Sequence, residues 1–471
     1  MSTPQTLYDK VWAQHVVADL GDGVSLLHVD RNFIHDLSGT RAIKSLIEQG
    51  RSVRYPAQTF ACPDHTVSTD RRSPHSGERY ARCVDPLRTM TADQGVRFFD
   101  IGAAEFGIIH VIGPDLGLTV PGALIVCGDS HTCTHGGLGA LAWGIGASEV
   151  AHVLATGTVI QKKAPRLRVT VTGELAIGVT AKDLILYLIG REGAASASGY
   201  AVEYAGPTLS AMSIEQRMTI CNLSIEMGAK VGMVAPDDKT IDFVRGREYA
   251  PDGTHWHQAV NHWSGLVSDD DAVFDKEIMV EANVVSPQIT WGTSPEHVVG
   301  IDQYVPDPAG ESDLDKREAI LAALSHTRLQ PGKPMEGLHV DRVFIGSCTN
   351  GRLSDLQAAA HMIKGRKVAE HVQAWVVPGA QSVKRAAEAE GLDQVFLQAG
   401  FDWRQPGCSL CVGANGETVA DGQRCVSTSN RNFVGRQGKG SITHLASPIM
   451  AAAAAVSGCL TDVRKLMGER G

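Results

Sequence analysis

Three cysteines in the second half of the sequence are of a type and spacing that can bind metal. Cys408 and Cys411 form the only Cys-x-x-Cys among the ten cysteines, and Pro406-Gly407 before them predicts a turn in which both thiols are exposed. Such a pair can be a redox dithiol or half of a zinc site, although structural zinc sites usually have two pairs. With Cys348 added, three thiolates also suit an iron–sulfur cluster in which one iron lacks a protein ligand. Spacing alone leaves these interpretations open.

Histidines beside carboxylates form a second group of chemically capable residues. A carboxylate raises the pKa of a neighbouring imidazole and orients it as a proton donor, which suits acid catalysis of a leaving hydroxide. One such pair is more often a structural hydrogen bond, but three pairs at the ends of predicted strands favour one shared site. The pairs are Asp64 with His65, Glu105 with His110, and Asp129 with His131. A serine nucleophile at Ser130 is not indicated, because the Gly-x-Ser-x-Gly sequence is missing.

The segment 429–439 is a basic island in an acidic chain. Arg431 and Arg436 could each hold a carboxylate through two hydrogen bonds, and Asn430 and Asn432 beside them suit hydroxyl recognition. A solvated loop, or a grip for phosphate or RNA, is the alternative interpretation. The sequence has no Gly-x-Gly-x-x-Gly after a strand and no Walker loop, so we do not expect nucleotide binding.

The composition is that of an ordinary globular protein, with 43% hydrophobic and 20% charged residues. The net charge of −9 argues against a dedicated nucleic-acid binder. Residues 1–10 lack the apolar core of a signal peptide, and the longest apolar run, 449–456, is too short to span a bilayer. With Ser447 as N-cap and Pro448 as first residue, that run predicts a buried helix. We therefore expect a cytoplasmic protein with reduced or metal-bound thiols and without membrane or nucleic-acid partners.

Short apolar runs that alternate with helical segments predict an α/β fold in three domains, at residues 1–164, 165–286 and 287–471. Predicted strands cover 25–29, 124–127, 167–171, 343–345 and 374–377, and predicted helices cover 38–49, 91–99, 181–190, 354–364 and 382–390, with another starting near 214. The apolar run 108–112 should end at the breaker Gly113-Pro114, and the polar stretch 245–275 reads as a surface insertion.

Two of the predicted strands end in similar polar sequences. Gly-Asp-Ser-His follows strand 124–127, and Gly-Ser-Cys-Thr follows strand 343–345. Ligands of open α/β sheets bind beyond the carboxyl ends of the strands, so both sequences are candidate site residues. The similarity is either a faint internal repeat or a coincidence.

Four motifs in the same order resemble the aconitase superfamily over essentially the whole chain. They are Val-Cys-Gly-Asp-Ser-His-Thr at 126–132, Gly-Ser-Cys-Thr-Asn at 346–350, Pro-Gly-Cys-Ser-Leu-Cys at 406–411, and Ser-Asn-Arg-Asn-Phe-Val-Gly-Arg at 429–436. The resemblance is strongest to the large subunits of the branch that isomerises isopropylmalates in leucine biosynthesis. Other branches act on citraconate or citramalate, dimethylmaleate or homoaconitate.

This resemblance implies three α/β domains around one [4Fe-4S] cluster per subunit, held by Cys348, Cys408 and Cys411, with one iron lacking a protein ligand. It implies hydro-lyase chemistry, in which dehydration and rehydration move a hydroxyl between adjacent carbons of a branched malate. The positions that match the family's catalytic network are Asp64, His65, His110, Asp129, His131 and Glu226. The positions that match its substrate-binding residues are Ser130, Asn222, Asn430, Arg431 and Arg436.

The resemblance also implies a partner. Single-chain aconitases continue into a fourth, swivelling domain that carries the catalytic serine base, whereas this sequence ends at Gly471. We therefore expect a separate small subunit with that domain and the base, in a heterodimer acting on a dicarboxylate. Arg41 stands where the family usually has Gln, and it should bind an additional substrate carboxylate or pair with an acid.

Two other classes of function are less well supported by the sequence. An aconitase-like protein that binds RNA after losing its cluster is disfavoured by the acidic charge and the expected lack of a fourth domain. An electron carrier is disfavoured because electron-transfer clusters generally have four protein ligands, and three candidate cysteines are present.

Overall fold

The computed structural model describes residues 3–70, 72 and 78–468. Over these residues the backbone contacts group into two compact units. The first unit consists of residues 3–67, 78–173 and 197–280, and the second of residues 68–70, 72, 174–196 and 281–468. The three-domain division expected from the sequence stays a prediction.

The strands of the described chain are short and spread over both units. They are β1 Val16–Gly21, β2 Val24–His28, β3 Arg31–His35, β4 Thr59–Cys62, β5 Arg97–Phe98, β6 Leu124–Cys127, β7 Leu141–Gly144, β8 Thr158–Lys162, β9 Arg166–Thr172, β10 Ala201–Ala205, β11 Val231–Val234, β12 Lys276–Glu281, β13 Gln288–Thr290, β14 Val298–Gly300, β15 Arg342–Ile345, β16 Gln373–Val376, β17 Asp402–Trp403, β18 Arg424–Ser427 and β19 Ile442–Leu445.

The helices of the described chain mostly connect these strands. They are α1 Leu7–His15, α2 Gly39–Glu48, α3 Glu78–Asp93, α4 Ile109–Asp115, α5 Ala147–Thr156, α6 Ala181–Glu192, α7 Pro207–Ala211, α8 Ile214–Asn222, α9 Asp238–Val244, α10 Gly253–Trp263, α11 Leu314–Thr327, α12 Ser347–Asn350, α13 Leu353–Ile363, α14 Gln381–Ala389, α15 Leu392–Ala399, α16 Pro448–Ser457 and α17 Val463–Gly468. Short 3₁₀ helices include Ser130–Leu138, Leu223–Met227 and Ser409–Cys411.

Each unit contains a five-stranded parallel sheet with the same strand order. The order is β5-β4-β3-β6-β7 in the first unit and β17-β16-β15-β18-β19 in the second. In both sheets the earliest strand is central, the next two extend the sheet on one side, and the last two extend it on the other. The order reverses between β3 and β6 and between β15 and β18, and ligands of such sheets bind beyond the strand ends at this reversal.

The two polar sequences noted above follow strands that are not equivalent in this order. β6 is the fourth strand of its sheet along the chain, whereas β15 is the first of its own. The shared strand order therefore does not explain their similarity, although both sequences lie at a reversal point.

The central strands are buried on both faces. All four residues of β6 are 0% exposed, and so are Val343, Phe344 and Ile345 of β15. A continuous apolar run, instead of an alternation of apolar and polar residues, is typical of parallel strands that are covered on both sides. The described chain also has three smaller sheets: antiparallel β1-β2-β8, the four strands β11-β10-β9-β12, and the hairpin β13-β14.

The Ala-rich run near the end of the chain forms the buried helix α16, as predicted. Ser447 is its N-cap and Pro448 its first residue. Residues 451–455 are 0–1% exposed, and these small side chains pack against α13. No helix within residues 3–70, 72 and 78–468 is both long enough and apolar enough to cross a membrane.

Two predicted elements were wrong. The helix expected at 91–99 is α3, which ends at Asp93, and β5 follows at Arg97–Phe98. The apolar run 108–112 belongs to α4, which continues through Gly113 and Pro114 to its last residue, Asp115. The stretch 245–275 is mostly exposed, and it contains the amphipathic helix α10, whose Trp263 is 3% exposed and joins the core.

Candidate functional site

The carboxyl ends of three neighbouring strands bring acidic and imidazole side chains together in the first unit. Asp36 follows β3, Asp64 and His65 follow β4, and Asp129 follows β6. Residues far apart in the sequence therefore meet at one edge of the sheet. We call the following set the acid–histidine cluster: Asp36, Asp64, His65, His110, Asp129, His131 and Glu226.

Asp129 lies at the centre of the acid–histidine cluster. Its carboxylate approaches His65 Nε2 at 3.3 Å, His110 Nε2 at 3.4 Å and His131 Nδ1 at 3.4 Å. Burial acts to raise the pKa of Asp129, but hydrogen bonds from His110, His131 and His65 outweigh it and hold the pKa well below its ordinary value. Asp129 is therefore ionised at neutral pH and can accept hydrogen bonds from all three rings.

Each of these three imidazoles has a second partner at its other ring nitrogen, so its orientation is fixed from two sides. The second contacts are His65 Nδ1 to Asp64 Oδ1 at 2.5 Å, His131 Nε2 to Glu226 Oε1 at 3.0 Å, and His110 Nδ1 to His135 Nε2 at 3.0 Å.

The second partners divide the three histidines by charge. His65 and His131 have a carboxylate at each ring nitrogen, so a protonated ring finds both of its acceptors in place. His110 instead faces a neutral neighbour, because the Thr119 hydroxyl lies 2.7 Å from His135 Nδ1 and can donate to it. When the Thr119 hydroxyl donates in this way, His135 Nε2–H donates to His110 Nδ1 at 3.0 Å, and the proton of His110 lies on Nε2, facing Asp129.

Asp36 is fully buried and fixes the backbone that carries His65. One of its carboxylate oxygens accepts from the His65 N–H at 3.1 Å, and the other accepts from the Thr66 N–H at 2.7 Å. Burial acts to raise the pKa of Asp36, but the imidazole of His65 and a hydrogen bond from the Thr66 hydroxyl lower it below its usual range.

Four residues of this region could be taken for a metal-ion site. Among the described residues, the one group of three or more candidate ligands within 4.8 Å of one another is His35, Asp36, Asp64 and His65. His35 is occupied, however, because its Nδ1 accepts from the Leu37 N–H at 3.3 Å and its Nε2 donates to the Gly128 carbonyl at 3.0 Å. Burial lowers the pKa of His35. The neutral ring of His35 has no lone pair left for an ion, so we do not interpret this group as a metal site, and its other three residues remain members of the acid–histidine cluster.

The other predicted residues of the first unit lie at different distances from this cluster. Ser130 Oγ is 3.5 Å from His131 Nδ1, and the fully buried Asn222 donates to Thr134 Oγ1 at 2.7 Å. Arg41 is exposed on α2, where it lines a cavity of about 440 Å³ together with other cations and with Asp36.

One predicted pair was wrong. Glu105 forms an ion pair with Arg97 at 3.2 Å, whereas His110 contacts Asp129 and His135. The reason is that His110 lies on the buried face of α4, and Glu105 precedes that helix near the end of β5.

In the second unit, strand ends bring the predicted thiols together. Cys348 lies in α12 directly after β15, and Cys408 and Cys411 lie in the loop after β17. We call these three residues the thiol cluster. Asn430, beyond β18, connects two of them, because its Nδ2 is 3.4 Å from Cys348 Sγ and its Oδ1 is 3.5 Å from Cys411 Sγ.

The thiols are buried, contrary to the exposed turn that the sequence predicted. Cys348, Cys408 and Cys411 are 7%, 6% and 6% exposed. The turn is held inward because Gln437 Nε2 donates to the Leu410 carbonyl at 2.9 Å, and Leu410 is 0% exposed. Burial of this kind shields a metal centre from solvent.

The backbone next to the thiols has an uncommon conformation. Ser347, before Cys348, has φ of 76°, and Ser409, after Cys408, has φ of 48°. Residues other than glycine seldom adopt such left-handed values, and they persist where surrounding structure enforces them, often at functional sites.

A carboxylate that is mostly shielded from solvent, with its side chain 11% exposed, holds the second of these conformations. Glu417 accepts hydrogen bonds from the Ser409 hydroxyl, from the Thr69 N–H at 2.8 Å and from Arg404 Nη2 at 3.0 Å. Burial acts to raise the pKa of Glu417, but the bond from Ser409 and the charge of Arg404 lower it overall. Glu417 is thus a fixed charge that anchors the loop of Cys408 and Cys411.

These donors fit an iron–sulfur cluster better than a single ion. Thiolates on one tetrahedral zinc ion would crowd within about 4 Å of one another. Among the described residues the thiol cluster is not one of the groups whose ligand atoms all lie within 4.8 Å. Three buried thiols spread more widely suit a centre in which each thiolate binds a different iron.

The basic segment is only partly solvated. Asn430 and Asn432 are 0% and 2% exposed, whereas Phe433 and Val434 are 48% and 58% exposed. Arg436 is half-buried, and its Nη2 lies 3.9 Å from Cys411 Sγ. Arg431 is also half-buried. Asn430 and Arg436 therefore belong to the surroundings of the thiols, Asn432 instead donates to the Gly292 carbonyl at 2.7 Å, and the tip of the segment is open to solvent.

Sequence reasoning missed several residues of these two clusters. His135 follows His131 by four positions and could have been found as a second histidine of the same turn. Asp36 and Glu417 carry no pattern, because their partners, such as His65 and Thr69, are distant in sequence.

Comparison with known proteins identifies the relatives of this chain. The family model of the aconitase family (aconitate hydratase) matches residues 9–458. The 3-isopropylmalate dehydratase large subunit 1 of Bradyrhizobium diazoefficiens is 58% identical over 462 residues, which are 98% of this chain and 97% of that protein. The structure of aconitase X of Thermococcus kodakaraensis in its holo form has a TM-score of 0.46 at 10% identity, covering 90% of this chain and 89% of that one.

These findings confirm the resemblance and the aconitase-like α/β fold expected from the sequence. Membership of the family implies an iron–sulfur cluster, with which the buried thiols agree. Because the family model spans nearly the whole sequence and a relative is more than half identical over the same length, this chain belongs to the aconitase family.

Proposed function

We propose that this chain is the large subunit of a 3-isopropylmalate dehydratase. The enzyme is a hydro-lyase that interconverts 2-isopropylmalate and 3-isopropylmalate in leucine biosynthesis, by dehydration and rehydration through 2-isopropylmaleate. The observation that carries the proposal is the 58% identity, over 98% of this chain, with a protein that bears this name. The acid–histidine cluster and the thiol cluster supply the two kinds of group that such a reaction needs.

The proposed cofactor is one [4Fe-4S] cluster per subunit, held by Cys348, Cys408 and Cys411, with one iron free of protein ligands. When bound, it supplies a Lewis acid for the hydroxyl and carboxylate oxygens of the substrate. The buried thiols, the left-handed backbone beside them and the contacts of Asn430 support these three ligands.

In the proposed reaction, His65 gives a proton to the departing hydroxyl. Asp64 holds the His65 ring and stabilises its protonated form at 2.5 Å, and Asp129 faces the other ring nitrogen at 3.3 Å. Asp129 and Glu226, joined through His131, accept hydrogen bonds that orient the water released and added back.

The proposed substrate is a dicarboxylate, which needs cationic partners. Arg431 and Arg436 suit its carboxylates, since a guanidinium can bind a carboxylate through two parallel hydrogen bonds. Ser130, Asn222 and Asn430 are proposed to complete the hydrogen bonding to the substrate.

The proposal includes a separate small subunit with the swivelling domain and the catalytic base, and a cytoplasmic heterodimer of the two chains. It is tested by anaerobic reconstitution of the purified large chain with iron and sulfide, with and without the small subunit. We expect isopropylmalate turnover only when both subunits are present. Dehydratase activity of the large chain by itself would overturn the two-subunit proposal.

A hydro-lyase for another alkylmalate or alkylmaleate is the second candidate, favoured by Arg41. This cation stands where the family usually has Gln and lines a cavity with further cations, Lys44, Arg79 and Arg82. Among the alternatives, homoaconitate has a third carboxylate that would fit such a position, whereas the alkylmalates and alkylmaleates have two, as isopropylmalate does. Assay of the reconstituted pair with isopropylmalate, citraconate and citrate separates the candidates, because we expect the highest kcat/KM for isopropylmalate.

A further inference from the structure

A lysine is fully buried in the second unit, near the residues that hold the thiol cluster. Lys182 is the second residue of α6 and is 1% exposed. Its neighbour in sequence, Asp183, is engaged elsewhere, by the Thr180 hydroxyl at 2.7 Å and the Gln288 N–H at 2.7 Å. A buried ammonium group is costly unless other groups compensate its charge, so its surroundings should explain why it is there.

The ammonium group of Lys182 is bound to the backbone that carries Asn430. It donates to the Thr428 carbonyl at 3.1 Å and to the Ser429 carbonyl at 2.6 Å. Asn430 follows directly and contacts the sulfurs of Cys348 and Cys411. Lys182 is therefore one residue removed from the contact that joins two of the thiols.

The same backbone is tied to the turn that carries Cys348. The Thr428 hydroxyl accepts from the Gly346 N–H at 2.9 Å and donates to the Gly346 carbonyl at 3.0 Å. By fixing Thr428 and Ser429, Lys182 thus helps to position both partners of the contact between Asn430 and Cys348. It holds Asn430 through the adjoining backbone, and it holds the Cys348 turn through Thr428.

Charge connects Lys182 with the thiols as well. Burial lowers the pKa of Lys182 to about 8, and the negative charges of Cys411 and Cys348 are the main influences that oppose this lowering. The interaction is mutual, so a positive charge at Lys182 stabilises negative charge at the thiols. Inorganic sulfide and thiolates add negative charge to the same place when an iron–sulfur cluster is bound.

We propose that Lys182 is a positioning residue of the thiol cluster, whose ammonium group fixes Asn430 against Cys348 and Cys411 and offsets the negative charge of the bound iron–sulfur cluster. The inference rests on the cofactor of the proposed function. It states that Lys182 slows the loss of iron from the bound cluster and raises the cluster's reduction potential. Charge and hydrogen bonding near a cluster are the means by which a protein sets both.

The test compares three substitutions of Lys182 in the reconstituted chain. Lys182→Met removes the charge and the donors, Lys182→Gln keeps an amide donor without the charge, and Lys182→Arg keeps both. Lys384→Met is the matched control, because Lys384 is 6% exposed in the same unit but has its own ion pair with Glu388. The measurements are the rate of iron release to a chelator and the midpoint potential, followed by electron paramagnetic resonance.

We expect Lys182→Met to release iron about tenfold faster, since a hydrogen-bonded buried cation is lost, and to shift the midpoint potential to a more negative value. Lys182→Arg and Lys384→Met should stay close to wild type in both measurements. Lys182→Gln should shift the potential as Lys182→Met does, because the charge is gone. Wild-type iron release and potential in Lys182→Met would overturn the inference.

Two further outcomes are decisive. If Lys182→Met fails to fold, as judged by thermal unfolding of the apoprotein, the comparison of Lys182→Gln with Lys182→Arg decides, and equal potentials in these two would overturn the role of the charge. A wild-type chain that takes up no iron would overturn the cofactor and this inference together. Neither measurement uses substrate, so a different substrate for the enzyme would leave the result for Lys182 intact.

Discussion

Replacing Asp129 with Asn removes the charge around which three imidazoles of the acid–histidine cluster are arranged. The substitution keeps the size of the side chain, so the N-cap at the start of the 3₁₀ helix Ser130–Leu138 can still form. His65, His110 and His131, each 3.3–3.4 Å from the carboxylate, lose an ionised acceptor. We expect the variant to fold, to bind iron and to lose most of its activity.

The size of the loss follows from these contacts. A hydrogen bond to a charged group contributes about 1.5–3 kcal/mol net. Three such contacts share one carboxylate, and neighbouring contributions do not add. We therefore expect kcat/KM to fall by about 10²- to 10⁴-fold, or about 3–5 kcal/mol, which is also the range for a general acid–base group.

The assay follows the ultraviolet absorbance of the alkylmaleate double bond with the reconstituted pair of subunits, normalised to iron content. Asp30→Asn is the matched control, because Asp30 also accepts from an imidazole, His15 Nε2 at 2.7 Å, but lies outside the acid–histidine cluster. This control should lose stability and keep its activity. An Asp129→Asn enzyme within about tenfold of wild type, a change below 1.4 kcal/mol, would refute the reasoning, and so would an equal loss in Asp30→Asn.

Stability gives a second check on the charge of Asp129. Its pKa in the folded chain is below the ordinary value of 3.8, so the unfolded state binds the proton more readily. The contribution of the carboxylate is therefore complete above the unfolded pKa and is lost as the pH falls through the folded pKa. The difference in unfolding free energy between wild type and Asp129→Asn should shrink as the pH falls below about 4.

Three further outcomes are expected. Cys348→Ala should abolish iron uptake, measured as iron per chain after reconstitution, whereas Cys425→Ala, at another buried cysteine of the same sheet, should retain it; equal iron in both would contradict the ligand assignment. His135→Gln should lower kcat about tenfold and shift its pH profile with little change in KM, because the tautomer of His110 is no longer fixed; an unchanged profile would contradict this. Burial lowers the pKa of His444 to about 3, whereas an unfolded histidine binds a proton below about pH 6.5. The free energy of unfolding should therefore fall as the pH falls from about 6.5 to about 3. In urea unfolding of the apoprotein, His444→Gln should make this decline smaller.

The sequence predicted those parts of the site that follow a buried strand. Asp129 after β6 and Cys348 after β15 were found because a continuous apolar run followed by Gly and polar residues marks the carboxyl end of a central strand. The aconitase resemblance supplied Glu226 and Asn222, which no local pattern indicates. Burial of the Cys-x-x-Cys turn could not be predicted, because it depends on Gln437 and Leu410.

Pairs of residues were predictable only where they are neighbours in sequence. Asp64 and His65 are in contact, but Glu105 contacts Arg97 and His110 contacts His135. Spacing along the chain does not say which residues meet across a sheet edge. Helix α4 shows the same limit, because its burial, and not the preference of Gly113 and Pro114, determines its extent.

The second unit contains two early segments of the sequence, which the ribosome makes long before the rest of that unit. Thr69 hydrogen-bonds Glu417, 348 positions later, and Lys182 binds the carbonyl of Thr428, 246 positions later. At roughly 5–20 residues per second on the ribosome, Thr69 waits about 20–70 s for its partner. Throughout that time a lysine destined for the interior stays hydrated, and the turn of Cys408 does not yet exist. The surroundings of Cys408 and Cys411 can therefore form only after the chain has been made beyond Gln437, whose side chain holds their turn inward.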